Sequence, residues 1–244
     1  MSTSDRQEQI LQILNERTFI TVNELANLTF TSPSSIRRDL THMQNSGLVK
    51  RSHGGVSLPE PISGVASFYD RTHQNIHEKR TIAKKAASLL KSGQSILLDS
   101  SSTAAFLLPY IAKISAVSVF TNNLSTALNA IELGIDTHCV GGHSANGSAV
   151  LSGAEAYRFL SHLKVDILFF SSQSIDRDGN ISDSTEEENF VRELMLKSAK
   201  TSVFLCDSEK FGKRSLYKLC NLDDIDYAIF EKEYRGLTTT CKLL

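Results

Sequence analysis

The apolar spacing of residues 33–44 constrains the fold of this chain more than any other feature of its sequence. Apolar side chains recur there at i, i+4 and i+7, which predicts a helix that buries one face, formed by Ile36, Leu40 and Met43. Ser32 suits the N-cap of this helix, and Pro33 suits its first position, where the missing N–H costs no hydrogen bond. Gly47 follows the predicted end. The polar side chains between the apolar ones are then exposed to solvent.

The exposed face of this helix carries hydroxyl and guanidinium groups near its N-terminus. These groups belong to Ser34, Ser35, Arg37, Arg38 and Thr41. Hydroxyl donors and guanidinium forks are the side chains that contact phosphates and base edges in the major groove of DNA. The preceding helix is only about three residues away, a separation typical of a helix-turn-helix. The pattern therefore predicts a DNA-reading helix.

Two capping patterns predict helices on the N-terminal side of this reading helix. Ser4 and Gln7 have the spacing of a capping box, and so do Thr21 and Glu24. Apolar residues follow each box at helical spacing, and they predict two helices that share a core with the reading helix.

Residues 48–57 are predicted to form two short strands around a basic turn, which together make a wing. Lys50 and Arg51 are expected to contact DNA phosphates there, and His53 is given a weaker role of the same kind. The whole chain has a formal net charge of −1, which argues against a protein that coats nucleic acid without sequence preference. A local basic patch on a near-neutral chain suits site-specific DNA binding. A three-helix protein-interaction module with solvated charges is the alternative.

Beyond residue 93, apolar runs alternate with helical patterns. This alternation predicts an α/β domain with an open, mostly parallel sheet, and the nearly continuous apolar runs indicate strands covered on both faces. The predicted strands are residues 95–98, 117–120, 137–140, 166–170, 202–206 and 227–230. The predicted helices are residues 78–90, 104–112, 123–133, 154–163 and 185–200. Ser184 and Glu187 have capping-box spacing at the start of the last helix.

Polar clusters follow three of these strands. In open α/β sheets, ligands bind at the carboxyl ends of the strands, and hydroxyl-rich turns that lead into helices can bind anions. The sequence therefore predicts an effector pocket for a phosphorylated metabolite, in which Lys210 supplies positive charge. Its predicted lining is Asp99, Ser100, Ser101, Ser102, Thr103, Thr121, Asn122, Asn123, Asp207 and Lys210.

The N-terminal motifs resemble a known family. The run S-P-S-S-I-R-R-D-L at residues 32–40 and the run G-L-V-K-R-S-H-G-G-V at residues 47–56 resemble the DNA-binding domain of the DeoR-type bacterial regulators of sugar metabolism. In that family, the equivalents of residues 33–44 form the recognition helix, and those of residues 48–57 form the wing.

The resemblance continues through the C-terminal part of the chain. The runs D-S-S-S-T, T-N-N and D-S-E-K-F-G follow the family's sensor pattern, except that Ser101 stands where the family favours Gly and Glu209 where it often has Ser. Residues 171–174 also depart from the turn that many members carry there. The resemblance implies a sensor domain similar in fold to ribose-5-phosphate isomerase, which binds phosphorylated sugars or related metabolites.

The predicted organisation is a winged helix-turn-helix domain at residues 1–57, a linker at residues 58–77 and an α/β effector-sensing domain at residues 78–244. The predicted function is a DNA-binding transcriptional regulator, specifically a repressor of a carbohydrate-metabolism operon. It would bind double-stranded operator DNA as a homodimer or homotetramer, under the control of a phosphorylated sugar or related effector. A sugar-phosphate isomerase-like enzyme with an accessory nucleic-acid-binding domain is the alternative, and a protein-binding scaffold is a third possibility. An enzyme is not expected, because no nucleophile–base arrangement is visible.

Cysteine usage and hydropathy indicate the compartment. The four cysteines are scattered without a CxxC pair, which predicts reduced thiols and no zinc site. Neither a secretory signal nor an apolar run of about 20 residues is visible in the sequence. We therefore expect a cytoplasmic protein without a metal or an organic cofactor and without contact to a membrane.

Overall fold

The computed structural model describes residues 3–17, 19–45, 48–52, 54–58, 68–145, 148–234, 236–237 and 239–244. The chain forms two compact units, Met1–Ala66 and Ser67–Leu244. The predicted linker at residues 58–77 stays a prediction, since residues 59–67 of it lie outside the described residues. Residues 68–77 belong to the second unit.

In its described residues, the N-terminal unit contains three helices and a small antiparallel sheet. The helices are α1 (Thr3–Glu16), α2 (Val22–Leu28) and α3 (Pro33–Asn45). The strands are β1 (Ile20–Thr21), β2 (Lys50–Ser52) and β3 (Gly55–Ser57), in the order β1-β3-β2. β2 and β3 form the two strands of the expected wing. The predicted end of the reading helix at Gly47 lies outside the described residues.

The inward face of α3 agrees with the prediction. The side chains of Ile36, Leu40 and Met43 are fully buried, together with Ile10 of α1 and Leu25 of α2. Because these residues sit at helical spacing, their burial fixes which side of α3 is exposed. Arg37 and Arg38 are both exposed, as expected.

Local capping explains where two of these helices begin. The Thr21 hydroxyl accepts from the Glu24 N–H at 3.2 Å, and the Glu24 carboxylate accepts from the Thr21 N–H at 2.9 Å, which confirms that capping box. Ser32 caps α3 by accepting from the Ser35 N–H at 3.3 Å. The capping box predicted at Ser4 is wrong, because α1 begins at Thr3 and Ser4 lies inside its first turn.

Over the part of the C-terminal unit that the structure describes, the main sheet has seven strands, and every neighbouring pair of them is parallel. Its strands are β4 (Ser95–Leu98), β5 (Ser118–Thr121), β6 (Asp136–Cys139), β7 (Val165–Phe170), β10 (Ala199–Cys206), β12 (Tyr227–Phe230) and β13 (Lys242–Leu243). The strand order is β13-β12-β10-β7-β4-β5-β6. The predicted parallel α/β sheet is confirmed, with β4 and β12 at their predicted bounds.

Helices and a second sheet accompany the main sheet. The helices are α4 (Phe68–His73), α5 (Ile76–Ala86), α6 (Ser102–Ala105), α7 (Leu108–Ile111), α8 (Leu124–Glu132), α9 (Ala154–His162) and α10 (Glu186–Ser198). The second sheet is antiparallel, and it contains β8 (Ser174–Ile175), β9 (Asn180–Asp183) and β11 (Tyr217–Asn221). It was not expected, because its strands are short and carry no continuous apolar run. Helix α4 was not expected either, since it lies in the predicted linker.

All five helices predicted for the C-terminal unit differ from the structure in their bounds, and two of them differ by no more than one residue at each end: residues 123–133 are found as Leu124–Glu132 and residues 154–163 as Ala154–His162. The helix predicted at residues 104–112 is divided into α6 and α7, because Pro109 has no N–H to continue a helical ladder from α6. The predicted helix 78–90 begins earlier, at Ile76, and changes to a 3-10 turn at residues 87–89. The predicted helix 185–200 ends at Ser198, because residues 199–206 form β10.

The capping box predicted for the last helix is wrong. Thr185, not Ser184, is the N-cap residue of α10, and its side chain makes no capping bond. The Ser184 N–H donates instead to the Asp183 carboxylate at 2.7 Å. The Glu187 carboxylate accepts from the Ser152 hydroxyl at 2.6 Å. Both partners of the expected box therefore have other bonds.

Two apolar clusters cover the two faces of the main sheet. One contains Ile82 of α5 and Ile96 of β4, and the other contains Leu97 of β4 and Met195 of α10. Because successive strand residues point to opposite faces, adjacent residues of β4 enter different clusters. Burial on both faces explains why the strands are nearly continuous in apolar residues.

We predict that Gly55→Ala destabilises the N-terminal unit by about 1–3 kcal/mol, the cost of overpacking a close contact. A Cβ at Gly55 would overlap the Phe19 ring and lie 2.6 Å from the Ile20 carbonyl oxygen, so the wing could not pair closely with β1. Thermal unfolding of the full chain, followed by circular dichroism, measures the change. The matched control is Ser52→Ala on the exposed side of β2, which should change stability by less than about 0.5 kcal/mol. Equal stability of the two variants would contradict the prediction.

Candidate nucleic-acid interface and effector site

The reading helix presents the residues that the sequence singled out. Ser34, Arg37, Arg38 and Thr41 are exposed, and Ser35 is half-buried. The hydroxyls of Ser34 and Ser35 lie 2.9 and 3.0 Å from the Ser32 hydroxyl. These bonds are local and exposed, so a phosphate oxygen can replace them at little cost.

Asp39 points inward and joins two helices. Its carboxylate accepts two hydrogen bonds from the Arg6 guanidinium of α1, at 2.5 and 3.2 Å, and the Asp39 residue is 5% exposed. The hydrogen bond to Asp39 raises the pKa of Arg6. In the run I-R-R-D-L, the first, fourth and fifth residues therefore hold α3 in place, and the two arginines between them are presented to solvent.

The wing is bonded to the reading helix. The Arg51 guanidinium of β2 donates to the Thr41 hydroxyl at 3.1 Å, and that hydroxyl donates to the Arg37 carbonyl oxygen at 2.8 Å. Lys50 is exposed beside Arg51. His53 lies outside the described residues, and its role stays a prediction.

A cleft of about 360 Å³ separates the wing from the first turn of α2. Arg37 and Arg51 both line it. The rest of its lining is Thr21, Val22, Asn23, Ser52, Gly54 and Gly55. Two guanidinium groups, exposed hydroxyls and backbone N–H groups on one surface are suited to phosphate contacts.

In the C-terminal unit, strand register brings the predicted effector residues together. Leu98 pairs with Thr121 on one side and with Phe169 on the other, and Phe170 pairs with Phe204. The carboxyl ends of β4, β5, β7 and β10 are therefore neighbours, and the polar clusters that follow them meet at one edge. Every residue of the predicted lining is buried except Lys210, which is half-buried.

A buried arginine on α10 binds three carboxylates at this edge. The Arg192 guanidinium lies 3.1 Å from Asp99, 2.9 Å from Asp183 and 3.2 Å from Glu188, and its side chain is 6% exposed. Burial lowers the pKa of Arg192, but the three carboxylates outweigh burial and raise it overall. Sequence reasoning missed Arg192 and Asp183, because no local pattern marks a residue whose partner is 93 positions away.

Asp99 organises the turn after β4. Besides Arg192, its carboxylate accepts from the Ser101 N–H at 3.0 Å and from the Ser171 N–H at 3.2 Å. The Ser101 hydroxyl also donates to Asp99 and accepts from the Ala104 N–H at 3.2 Å, which caps α6. Serine at position 101 therefore has a structural use in this chain, since its side chain both bonds to Asp99 and caps α6.

Lys210 continues the network toward β10. Its ammonium donates to the Ser171 hydroxyl at 2.8 Å and lies 3.5 Å from the Asp207 carboxylate. The Asn75 amide donates to the other Asp207 oxygen at 3.4 Å. Asn75 precedes α5 and has a left-handed backbone, at φ 52°. A residue of the predicted linker therefore contacts the predicted effector residues directly.

Lys79 also holds the segment around Asn75 in place. This lysine is 3% exposed, and its ammonium donates to the carbonyl oxygens of Arg71 and Gln74. Burial lowers its pKa to about 8, with a smaller contribution from the charge of Lys210. The sequence analysis placed residues 58–77 in a linker and missed this role of Lys79, because its partners are backbone carbonyl groups that no side-chain pattern marks.

Several buried polar atoms at this edge have no hydrogen-bond partner within the described residues. They are Thr103 Oγ1, Asn122 Oδ1, Asn123 Nδ2, Thr126 Oγ1 and Asp207 Oδ2. An unsatisfied buried polar group costs about 1–3 kcal/mol, so a concentration of them requires a reason. A polar ligand that bonds to these atoms would remove that cost.

Among the described residues, no cluster of three or more His, Cys, Asp or Glu side chains could hold a metal ion. Within the same residues, the helices are all too short or too polar to cross a membrane.

Comparison with known proteins assigns both units to one class. Residues 6–61 match the DeoR-like helix-turn-helix domain, and residues 74–232 match the DeoR C-terminal sensor domain. The protein is a transcriptional regulator with a DNA-binding head and a sensor domain. It belongs to the DeoR family, as the sequence motifs indicated.

Curated relatives are similar over nearly the whole chain. The HTH-type transcriptional regulator GolR of Listeria innocua is 32% identical over 230 residues, 94% of this chain and 91% of that protein. The L-fucose operon activator of Haemophilus influenzae is 36% identical over 228 residues, 91% of this chain and 89% of that protein. These relatives are regulators rather than enzymes, in agreement with the sequence prediction.

Among solved structures, ribose 5-phosphate isomerase from Methanocaldococcus jannaschii is similar at a TM-score of 0.43 and 19% identity. The similar region covers 57% of this chain and 55% of that chain.

We predict that Arg192→Met destabilises the C-terminal unit by about 3–5 kcal/mol, because it leaves Asp99 and Asp183 buried without a counter-charge. The deficit should shrink as the pH falls, since the two carboxylates can then bind protons in the folded variant. Urea unfolding at several pH values measures both effects. Arg158→Met, at an exposed arginine of α9, is the matched control and should unfold like the wild type. A pH-independent deficit would argue against buried charge as its cause.

Proposed function

We propose that this regulator represses a carbohydrate-metabolism operon and that a phosphorylated sugar or related metabolite controls its binding to operator DNA. The observation that carries the proposal is the presentation of Arg37 and Arg38 on the exposed side of α3, next to a basic wing. Relatives named for the L-fucose operon and the aga operon support a role in carbohydrate metabolism. Because one of these is named an activator and the other a putative repressor, the sign of regulation needs its own test.

Binding to DNA is proposed to use α3 and the wing together. The N-terminal half of α3 enters the major groove, where a guanidinium can bond to a guanine edge in bidentate geometry. Arg51 and Lys50 contact phosphates from the wing, while the bond between Arg51 and Thr41 keeps the wing in register with α3. A homodimer or homotetramer provides two reading heads for a two-fold operator.

Effector binding is proposed at the carboxyl ends of β4, β5, β7 and β10. The unpartnered polar atoms of Thr103, Asn122 and Asn123 support a polar ligand there. Lys210 can give up its bond to the Ser171 hydroxyl for a phosphate oxygen, which is the stronger acceptor. Asp207 is suited to a sugar hydroxyl, because its Oδ2 has no hydrogen-bond partner within the described residues and an ionised carboxylate accepts hydrogen bonds, while Asp99 shapes the turn that lines the site.

The effector can change DNA affinity only if it binds two states differently. The bond between Asn75 and Asp207 offers a route, because it links the lining of the pocket to the segment that follows the reading head in the chain. A ligand that bonds to Asp207 competes with Asn75. We therefore propose that ligand binding alters this segment.

Replacing Arg37 or Arg38 with alanine should weaken operator binding by about 1–3 kcal/mol if the side chain bonds to a base. The loss should be largest for the native operator and small for unrelated DNA, since a base contact carries sequence information. Fluorescence anisotropy with the upstream region of the gene, at fixed salt, measures both affinities. Arg158→Ala, in the sensor unit, is the control for loss of one positive charge. If both α3 variants bind like this control, the proposed reading surface is wrong.

Replacing Lys210 with alanine should leave operator affinity unchanged and reduce the response to effector. Thermal stabilisation of the full chain across pentose phosphates, hexose phosphates and inorganic phosphate identifies the responsive ligand class, because a ligand of the folded state raises the unfolding temperature. Lys213→Ala, at an exposed neighbouring lysine, is the matched control. An undiminished response of the Lys210 variant to every active ligand would rule out the proposed pocket.

The sign of regulation is tested with a reporter gene behind the native upstream region. Deletion of the regulator should raise expression if it represses, and the active sugar phosphate should raise expression only when the regulator is present. A fall in expression on deletion would instead indicate an activator.

A further inference from the structure

One edge of the main sheet combines a free strand with an exposed apolar helix face. β6 is the last strand in the order, and the described residues place no strand on its outer side. Helix α8, which precedes β6, exposes Leu124, Leu128 and Ile131 by 40%, 62% and 58%. These residues recur at i, i+4 and i+7, so they form one continuous stripe. Scattered surface leucines need no explanation, but a contiguous stripe indicates a contact.

The stripe lies on the side of α8 that faces away from the rest of the sheet. α8 packs onto the sheet through Thr126, Ala127 and Ala130. A parallel β5–α8–β6 connection is right-handed by the general rule for such crossovers. With that handedness, residues 124, 128 and 131 turn toward the β6 side and residues 125 and 129 toward the opposite side. The apolar stripe and the free strand edge therefore form one surface.

The outer edge of β6 offers backbone groups in a defined register. The Val140 N–H, just after β6, donates to the Thr121 carbonyl oxygen of β5 at 2.8 Å. Backbone groups alternate in direction along a strand, so Thr137 and Cys139 direct theirs away from β5. An unpaired edge of this kind is a template for another strand.

We infer that a second copy of this chain docks here, through a two-fold axis that passes beside Thr137. In this arrangement β6 pairs antiparallel with β6 of the second copy, and the two α8 stripes face each other. The inference rests on the proposed function, in which a two-fold operator requires two reading heads. It identifies the surface that brings the two sensor units together.

Complementary hydrogen-bonding side chains favour both the partner and the register, because a carboxylate accepts a hydrogen bond from an imidazole N–H. An antiparallel pairing centred on Thr137 sets Asp136 of each copy opposite His138 of the other, on one face of the joined sheet. Within one chain, the His138 ring nitrogen and the Asp136 carboxylate are 3.7 Å apart and both side chains are at least half exposed. A two-fold axis therefore creates the carboxylate–imidazole pair twice, and a second copy of β6 supplies both members of each pair.

The surface area that a stable interface must bury also requires both the α8 stripe and the edge of β6. A stable interface buries about 800 Å² on each partner, which is more than one short helix face supplies. The α8 stripe provides an apolar centre, and the strand edge provides hydrogen bonds and a polar rim, as interfaces of this kind do.

Leu128→Lys in the full chain tests the apolar half of the surface. A charge at the centre of the stripe should weaken self-association at least tenfold, measured by sedimentation over a range of concentrations. Leu216→Lys, at a leucine that is 79% exposed on another surface, should associate like the wild type. A wild-type chain that is monomeric throughout, or a Leu128→Lys variant that associates like the wild type, would overturn the inference.

Thr137→Cys tests the strand register. Opposed residues of a hydrogen-bonded antiparallel pair have Cα atoms about 5.5 Å apart, a distance that a disulfide spans. In a Cys139→Ser background, mild oxidation should therefore link two copies of Thr137→Cys. Leu216→Cys in the same background is the control. Crosslinking of the Thr137→Cys chain no greater than that of the control would overturn the inference.

These results are separable from those of the proposed function. If Leu128→Lys dissociates the protein while the wild type shows no preference for its upstream DNA, the interface stands and the proposed function fails. If the wild type binds its operator while Leu128→Lys leaves association unchanged, the interface fails alone.

Discussion

A single buried guanidinium group organises the sensor unit. Arg192 holds Asp99 at the end of the main sheet, Asp183 at the end of the second sheet and Glu188 on its own helix. Ionised carboxylates in the interior are tolerated only when they are paired, so the position of Arg192 determines how the two sheets meet. The turn after β4, with the polar groups proposed to bind an effector, takes its shape from this pairing. A site built on a rigid ionic network is already arranged before a ligand arrives.

Local patterns in the sequence predicted the elements whose physical causes are local. The three apolar residues of α3 determine which of its faces is exposed, and alternation of apolar runs with helical patterns predicted a parallel sheet. Thr21 and Glu24 were interpreted correctly because both partners of a capping box lie within one turn. The convergence of polar clusters at one edge followed from parallel strands alone, since their carboxyl ends meet there.

What the sequence did not reveal depends on partners distant along the chain. In the sequence, Arg192 looks like any other basic residue of a helix, because its partner Asp99 lies 93 positions earlier. The second sheet pairs strands of two to five residues, which are too short to show a period. Ser184 and Glu187 have capping-box spacing, yet Asp183 and Ser152 bind them instead. In each case a tertiary contact replaced the local preference.

The hydrogen bonds of residues 68–79 limit where two regulators of this kind could exchange their DNA-binding units. Asn75 binds Asp207 of the sensor unit, and Lys79 of α5 binds the carbonyl oxygens of Arg71 and Gln74, so this stretch belongs structurally to the sensor unit although its sequence predicted a linker. If two regulators exchanged their DNA-binding units, the junction would have to lie ahead of Phe68. Residues 68–79 would then stay with the sensor unit that they contact. A chimera joined at residue 78 would take residue 75 from the other parent and keep Asp207, so the Asn75–Asp207 hydrogen bond would form only where that parent also has asparagine there.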